Sequence, residues 1–385
     1  MPRTSQAPQP ESSLKVEAQR FWQRVTEGMA VHQLWSQFER DARSSYRFYS
    51  AGLAERGEGQ TGFHRGWAVA KALFWAIIEK LSPARRVLLL LALILLFFPA
   101  GGFSYEGQAG RVSFQLNLQI WGGLLMFVVL LLELADRVVM KRDLEIAKDI
   151  QSWLLPGAPL QIPGYQIAYA TRPANTVAGD YYDVILRPGQ ALSDDRVLFV
   201  VADVAGKSIP AAMLMATFQA SLRTLSSSRA SLAELVAGLN HYACSNSQGG
   251  SRFTTAFMAE LDPATGDLAC VNAGHNAPIL RRGSGAVERL EVGGIPMGIL
   301  ENTSYQVETT RLGAGDHLVI FTDGVVEAIN AKGDEYGEAE LIQLVDRRAA
   351  GAPSELLRGL LEELDVFVGS TPQHDDMTCL LLKRG

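Results

Sequence analysis

Cysteine is scarce in this chain: Cys244, Cys270 and Cys379 are the only three, and they stand far apart. Such thiols build no disulfide framework and no C-x-x-C metal pair, which fits a reducing cytoplasm. Positive charge is also short. Lys and Arg number 35 against 41 Asp and Glu, for a net charge of -6. A nucleic-acid binder normally presents a basic face, so the balance argues against that class. There is no dinucleotide-binding glycine fingerprint, no Walker-type loop and no internal repeat. The opening residues are polar and proline-containing, unlike a cleaved signal peptide.

What the chain does have is apolar length. Its mean hydropathy is slightly positive, +0.07, which a soluble enzyme does not need and a membrane segment explains. Residues 1–86 read as an N-terminal cytoplasmic region of disorder and helices. Met1 to Ser13 is a polar tail. Val16, Phe21, Val25, Met29, Leu34 and Phe38 give Leu14–Leu53 a helical period. After a glycine-rich break, Trp67–Leu81 reads as a helix of a small unit or one lying on a bilayer surface. Val87–Tyr105 and Val112–Leu132 carry no charge, and each is near the roughly 20 residues of a membrane span. They predict a two-span hairpin over 87–132, interrupted at Pro99-Ala100-Gly101-Gly102. Lys80, Arg85 and Arg86 precede it and Arg137, Lys141 and Arg142 follow it, so both ends should face the cytoplasm. The expectation is a multi-pass protein of the cell membrane. Residues 133–156 then form a charged linker helix, ended by Pro156 and Gly157. Val139, Ile146, Ile150 and Trp153 make a short heptad-like stripe along it. That stripe either packs on its own domain or joins two copies as a homodimer.

From Tyr165 onward short β patterns dominate. Strands are predicted at Tyr165–Thr171, Tyr182–Leu186, Val197–Ala202, Thr255–Leu261, Asp267–Ala273, Ala277–Arg281, Val287–Glu291, Tyr305–Thr310, His317–Thr322 and Met377–Lys383. Helices are predicted at Pro210–Leu225, Ser231–Tyr242, Glu338–Ala349 and Ser354–Val368. Hairpin-linked strands with paired helices indicate an α+β layered domain over 157–385. Four strand ends carry aspartate with glycine close by or with a second aspartate: Asp180, Asp203, Asp323 and the pair Asp375-Asp376. Each alone reads as a turn residue. Together they suggest one acidic pocket, which repels itself unless hard cations such as Mg²⁺ or Mn²⁺ fill it.

These pieces stand in the order found in a known family. They are Ile150-Gln151-Ser152-Trp153-Leu154-Leu155-Pro156, Gly179-Asp180-Tyr181-Tyr182-Asp183 and Ala202-Asp203-Val204-Ala205-Gly206-Lys207. Asn272-Ala273-Gly274-His275-Asn276, Pro296-Met297-Gly298, Thr322-Asp323-Gly324 and Asp375-Asp376-Met377-Thr378 follow. From about Asp143 to Leu382 the chain resembles the PPM family of metal-dependent serine/threonine protein phosphatases, in its SpoIIE/RsbU branch. The resemblance implies an αββα sandwich of two antiparallel sheets flanked by helices. Ala178 and Ser208 depart from it, standing where the branch usually has glycine, and each tightens a turn.

The resemblance also implies a chemistry. Two metals about 3.5–4 Å apart would activate a water and neutralise phosphoryl charge. Asp180 and Asp203 would hold both ions, and the carbonyl of Val204 would be a further ligand. Asp323 with Asp375 or Asp376 would complete the second site; the sequence leaves that choice open. Lys207 and Arg172 are candidates to attract the substrate phosphate. Asp183 reads as a supporting or turn residue, Glu327 as a water-orienting residue or a local cap, and His275 as structural. The implied substrate is a phosphorylated signalling protein of the STAS-domain, anti-anti-sigma type. Signals would reach the Gly179-Asp180 segment through the linker helix. The rival reading is a catalytically weak membrane scaffold that uses the same fold to bind a partner. A metal-dependent nuclease or cyclase would share the acidic pocket, but the missing phosphate loop and basic face count against it.

Overall fold

A computed structural model describes residues 78, 81–97, 101–107, 110–188, 195–246 and 252–385. The polar tail and the expected helix over Leu14–Leu53 lie outside the described residues, as does nearly all of Trp67–Leu81. The chain divides into two compact units, Met1–Asp136 and Arg137–Gly385.

In the first unit, helix α1 (Pro83–Phe97) leads to a two-stranded hairpin, β1 (Gly101–Gly107) with β2 (Gly110–Leu116). Helix α2 (Leu118–Leu154) follows. The two helices approach closely at Gly122, where an added Cβ would lie 2.8 Å from the Leu96 nitrogen and 2.9 Å from the Ala92 carbonyl. At the other end of α1, Arg85 bridges to Glu133 at 3.2 Å and Asp136 at 2.7 Å. The pair therefore runs antiparallel. The expected two spans are reproduced only in part. Among the described residues one helix, α2, is long and apolar enough to cross a membrane. Helix α1 has 15 residues, about 22 Å of rise against a hydrocarbon core of about 30 Å. Proline and paired glycine oppose helix beyond Phe97. Over Phe103–Glu106 and Arg111–Leu116 apolar and polar residues then alternate with the period of a strand.

The second unit begins within α2, so the expected linker is continuous with the apolar stretch in one helix of 37 residues. Beyond it lie four layers. One sheet has the order β10-β7-β6-β5-β4, with β11 also paired to β7; the other runs β3-β13-β12-β8-β9. Their strands are β3 (Tyr165–Arg172), β4 (Tyr181–Pro188), β5 (Asp195–Val204), β6 (Thr254–Leu261) and β7 (Asp267–Ala273), then β8 (Ile279–Arg281), β9 (Val287–Arg289), β10 (Gly293–Gly294), β11 (Glu308–Arg311), β12 (His317–Phe321) and β13 (Met377–Arg384). All pairings are antiparallel except the two-residue contact of β10 with β7. Helices α3 (Ser208–Ser226) and α4 (Leu232–Asn246) cover the first sheet, and α5 (Gly337–Arg348) and α6 (Pro353–Val368) the second.

Side-chain alternation builds the layers. On β5, Val197, Phe199 and Val201 point between the sheets, toward Leu318 and Ile320 of β12 and Leu380 and Leu382 of β13. Leu198, Val200 and Ala202 point the other way, onto Met215, Phe218 and Leu222 of α3 and Leu235 and Leu239 of α4. Val319, Phe321, Cys379 and Leu381 meet Leu341, Leu344, Leu356 and Leu360 on the far side. Strands buried on both faces explain why their sequences read as unbroken apolar runs. Each sheet also holds one buried free thiol, Cys270 on β7 and Cys379 on β13, and burial pushes both up to about 12.

Candidate metal centre

Antiparallel pairing gathers the strand-end aspartates. Tyr181 opens β4 opposite Ala202 near the end of β5, and Phe321 ends β12 opposite Cys379 near the start of β13. Asp180, Asp203, Asp323 and Asp375-Asp376 thus come to one end of the sandwich. Asp180 is 3% exposed, and its Oδ2 accepts a hydrogen bond from Thr322 Oγ1 at 2.8 Å. Burial and the neighbouring Asp203 hold its carboxyl well above the usual carboxylate range. Burial, then Asp323, Asp375 and Asp376, push Asp203 up to about 7, with Lys207 opposing. Burial and Asp375 raise Asp323 as well.

The backbone is shaped to this end. A Cβ on Gly179 would sit 3.1 Å from the Val204 carbonyl oxygen and 3.2 Å from Ala211 Cβ, so glycine lets the Asp180 loop pass that carbonyl. A Cβ on Gly324 would lie 2.1 Å from the Asp376 carbonyl, which no side chain could occupy. Ser208 has φ 63, a left-handed conformation that favours glycine. The glycine expected at that position matches this backbone, and serine carries strain there. Ala178, the other departure, is not in the left-handed region and is buried at 3%.

The adjacent aspartates have different tasks. Asp376 Oδ1 accepts the Ala174 N–H at 2.7 Å and its Oδ2 the Gly179 N–H at 2.6 Å, so this carboxylate fastens the loop before Asp180. Asp375 instead faces the Lys207 ammonium at 2.9 Å and is 42% exposed at its side chain. Of the two, Asp376 is thus the one engaged with the Asp180 loop and Asp375 the one paired with a side-chain cation.

Lys207 lies at the mouth of the centre, also donating to the His374 carbonyl at 2.8 Å. Arg172 does not: its guanidinium pairs with Asp365 on α6 and lies against Met377 Sδ. Asp183 is fully buried in β4, accepting bonds from Tyr181 Oη and both ends of the Arg223 guanidinium. His275 is held by Asn272 through its main chain at 2.7 Å, with Nδ1 3.0 Å from Thr255 Oγ1. Burial pushes its imidazole down to about 4. Glu327 is exposed and lines a cavity of about 180 Å³ with Lys207, Glu335, Gln373, His374 and Asp375. Two contributors had no role assigned from sequence. Thr322 was visible only as the residue before Asp323, and Gln151 only as part of the Ile150–Pro156 motif.

Do these residues fit divalent cations? Among the described residues no three Asp, Glu, His or Cys side chains are already closed around one point. The donors are nevertheless all oxygen, and burial together with neighbouring negative charge pushes Asp180, Asp203 and Asp323 upward. Crowded carboxylates of this kind fit a hard divalent ion and disfavour a soft one.

The layers and their acidic end define a PP2C-like α+β domain. The SiaA-PP2C domain of Pseudomonas aeruginosa has this fold, with a TM-score of 0.55 at 21% identity over 65% of this chain and 99% of that one. A family profile described as Stage II sporulation protein E (SpoIIE) matches residues 193–385, half of the chain, and the chain belongs to that family. Protein IcfG of Synechocystis sp. is 25% identical over 317 residues, covering 74% of this chain and 49% of IcfG. The match thus spans about half of that relative's length. Phosphoserine phosphatase RsbU of Bacillus subtilis is 26% identical over 245 residues, covering 63% of this chain and 70% of RsbU.

Proposed function

We propose that this protein is a metal-dependent phosphatase that hydrolyses phosphoserine or phosphothreonine on a signalling protein. The observation that carries this reading is the convergence of the strand-end carboxylates Asp180, Asp203, Asp323 and Asp375 at one end of the sandwich, where burial and neighbouring carboxylates raise Asp180, Asp203 and Asp323. Its relative RsbU is named a phosphoserine phosphatase. Two bound Mg²⁺ or Mn²⁺ ions would supply an activated water and neutralise charge on the phosphoryl oxygens. Asp180 and Asp203, with the Val204 carbonyl, would hold them together, and Asp323 and Asp375 would complete the set. Thr322 fixes the rotamer of Asp180, and Asp376 fixes the loop that leads to it. Lys207, ion-paired to Asp375, would attract the substrate phosphate. The substrate we infer is a phosphorylated STAS-domain protein.

Phosphate release by the full-length chain from a serine-phosphorylated STAS-domain protein tests this reading. The arms are Mn²⁺, chelator and Asp203→Asn. Manganese-dependent turnover that the substitution abolishes is expected. A folded protein that binds the phosphoprotein without turnover in any arm would instead favour the scaffold.

We further propose that the first unit anchors the chain in the cell membrane, with the catalytic unit in the cytoplasm. Its helices turn large apolar side chains outward: Phe97 is 85% exposed, Ile120 67% and Leu130 61%. Helix α2 is long and apolar enough to cross, and Arg137, Lys141 and Arg142 after its apolar stretch would mark the cytoplasmic side. Release of the protein from membranes by alkaline carbonate would count against an anchor.

A further inference from the structure

Helix α2 ends beside the loop that carries Asp180, and one side chain joins them. Gln151, 8% exposed, lies in the last turn of the helix. Its Nε2 donates to the Ala178 carbonyl at 2.7 Å, and its Oε1 accepts the Ala178 N–H at 2.9 Å. A carboxamide that meets both main-chain groups of one residue copies a rung of a β-ladder. The segment from Pro173 to Asp180 belongs to no strand. It is fastened at Ala174 and Gly179 by Asp376 and at Ala178 by Gln151.

Glutamine is chemically specified here. Leucine or methionine would fill the space but bond nothing, glutamate could only accept, and lysine could only donate. Ala178 is buried, so without the carboxamide two main-chain groups lose their partners inside the protein. The loop can recover hydrogen bonds by moving toward water, and Gly179 and Asp180 would move with it.

We propose that Gln151 is a positioning residue: by holding both main-chain groups of Ala178, it sets the Gly179-Asp180 segment in the geometry that accepts the divalent cation. This rests on the reading of Asp180 as part of a cation site. It makes the end of α2 a part of the catalytic centre without contact to substrate.

The test compares full-length wild type with Gln151→Leu and Gln151→Met, two variants of similar size that make neither bond. Mn²⁺ binding is measured by calorimetry without substrate, and amide hydrogen exchange is followed over residues 174–181 and over β5 and β6. Both variants should bind Mn²⁺ about tenfold more weakly, the loss expected for two hydrogen bonds. Exchange should quicken at 174–181 and stay as in wild type across β5 and β6. Unchanged Mn²⁺ affinity in a folded variant overturns the proposal, and so does exchange that quickens equally everywhere, which marks a general packing role. Wild type that binds no Mn²⁺ would sink the cation-site reading itself, and this inference with it.

Discussion

Thr322 illustrates how the centre is tuned one side chain at a time. It is fully buried, donates a hydroxyl hydrogen bond to Asp180 and accepts the Thr378 N–H at 2.9 Å. Thr322→Val keeps the shape and removes the donor. Such supporting partners cost about 10–100-fold in metal affinity or activity when lost, and Mn²⁺ titration of phosphate release should show a loss of that size, with Thr322→Ser restoring most of it. Ser208 makes the opposite case. Its left-handed backbone strains a side chain, so Ser208→Gly should raise stability by up to about 1 kcal/mol, measured by denaturant unfolding. The strand-end aspartates were legible in the sequence because glycine and apolar runs bracket them. The different partners of Asp375 and Asp376 were not, since they depend on which loop crosses over them. Arg172 misled for a related reason: a cation near a motif need not point at it, and Asp365 on a distant helix holds this one.

At the scale of elements, most of the second unit could be read in advance. Strands such as Asp267–Ala273 coincide with expectation, because burial on both faces leaves a dense apolar run bounded by turns. The capping box at the start of α4, where Ser231 and Glu234 exchange hydrogen bonds, is likewise a local signal. The hairpin of β1 and β2 was not foreseen. Its residues carry few charges, and a window tuned to membrane spans absorbs them. Helix α2 carries the element-scale prediction. Val139, Ile146, Ile150 and Trp153 are 57%, 48%, 49% and 79% exposed, so the stripe does not pack on its own domain. We propose that a second copy covers it, in which case Ile146→Glu with Ile150→Glu should convert a dimer to a monomer in analytical ultracentrifugation. An unchanged sedimentation coefficient would remove the homodimer from the account.

For the molecule as a whole, the crowded carboxylates tie folding to both pH and metal. Asp203 titrates near 7 in the fold against about 4 in an unfolded chain. The folded state therefore binds protons that the unfolded chain has released, and this contribution to stability falls as pH rises from about 4 to 7. His275 acts in the reverse sense: with its folded value near 4, it destabilises the fold as pH drops below about 6.5. The difference between wild type and Asp203→Asn isolates the first effect. In chelator, Asp203→Asn should gain unfolding temperature over wild type between pH 5 and pH 8. Mn²⁺ should close that gap at pH 8 by binding folded wild type. A gap independent of pH would mean that the carboxylates do not crowd as described.

The two buried thiols have a consequence of their own. Cys270 belongs to one sheet and Cys379 to the other, and neither can react with an alkylating reagent until its strand leaves the core. Pulse alkylation followed by mass spectrometry therefore times the opening of each sheet separately, with no engineered probe. Equal rates at the two positions would mean that the sandwich parts as a single cooperative body. A faster Cys379 would mean that β13, and with it the anchor point of Asp376, loosens first, so that loss of the catalytic geometry would precede loss of the fold.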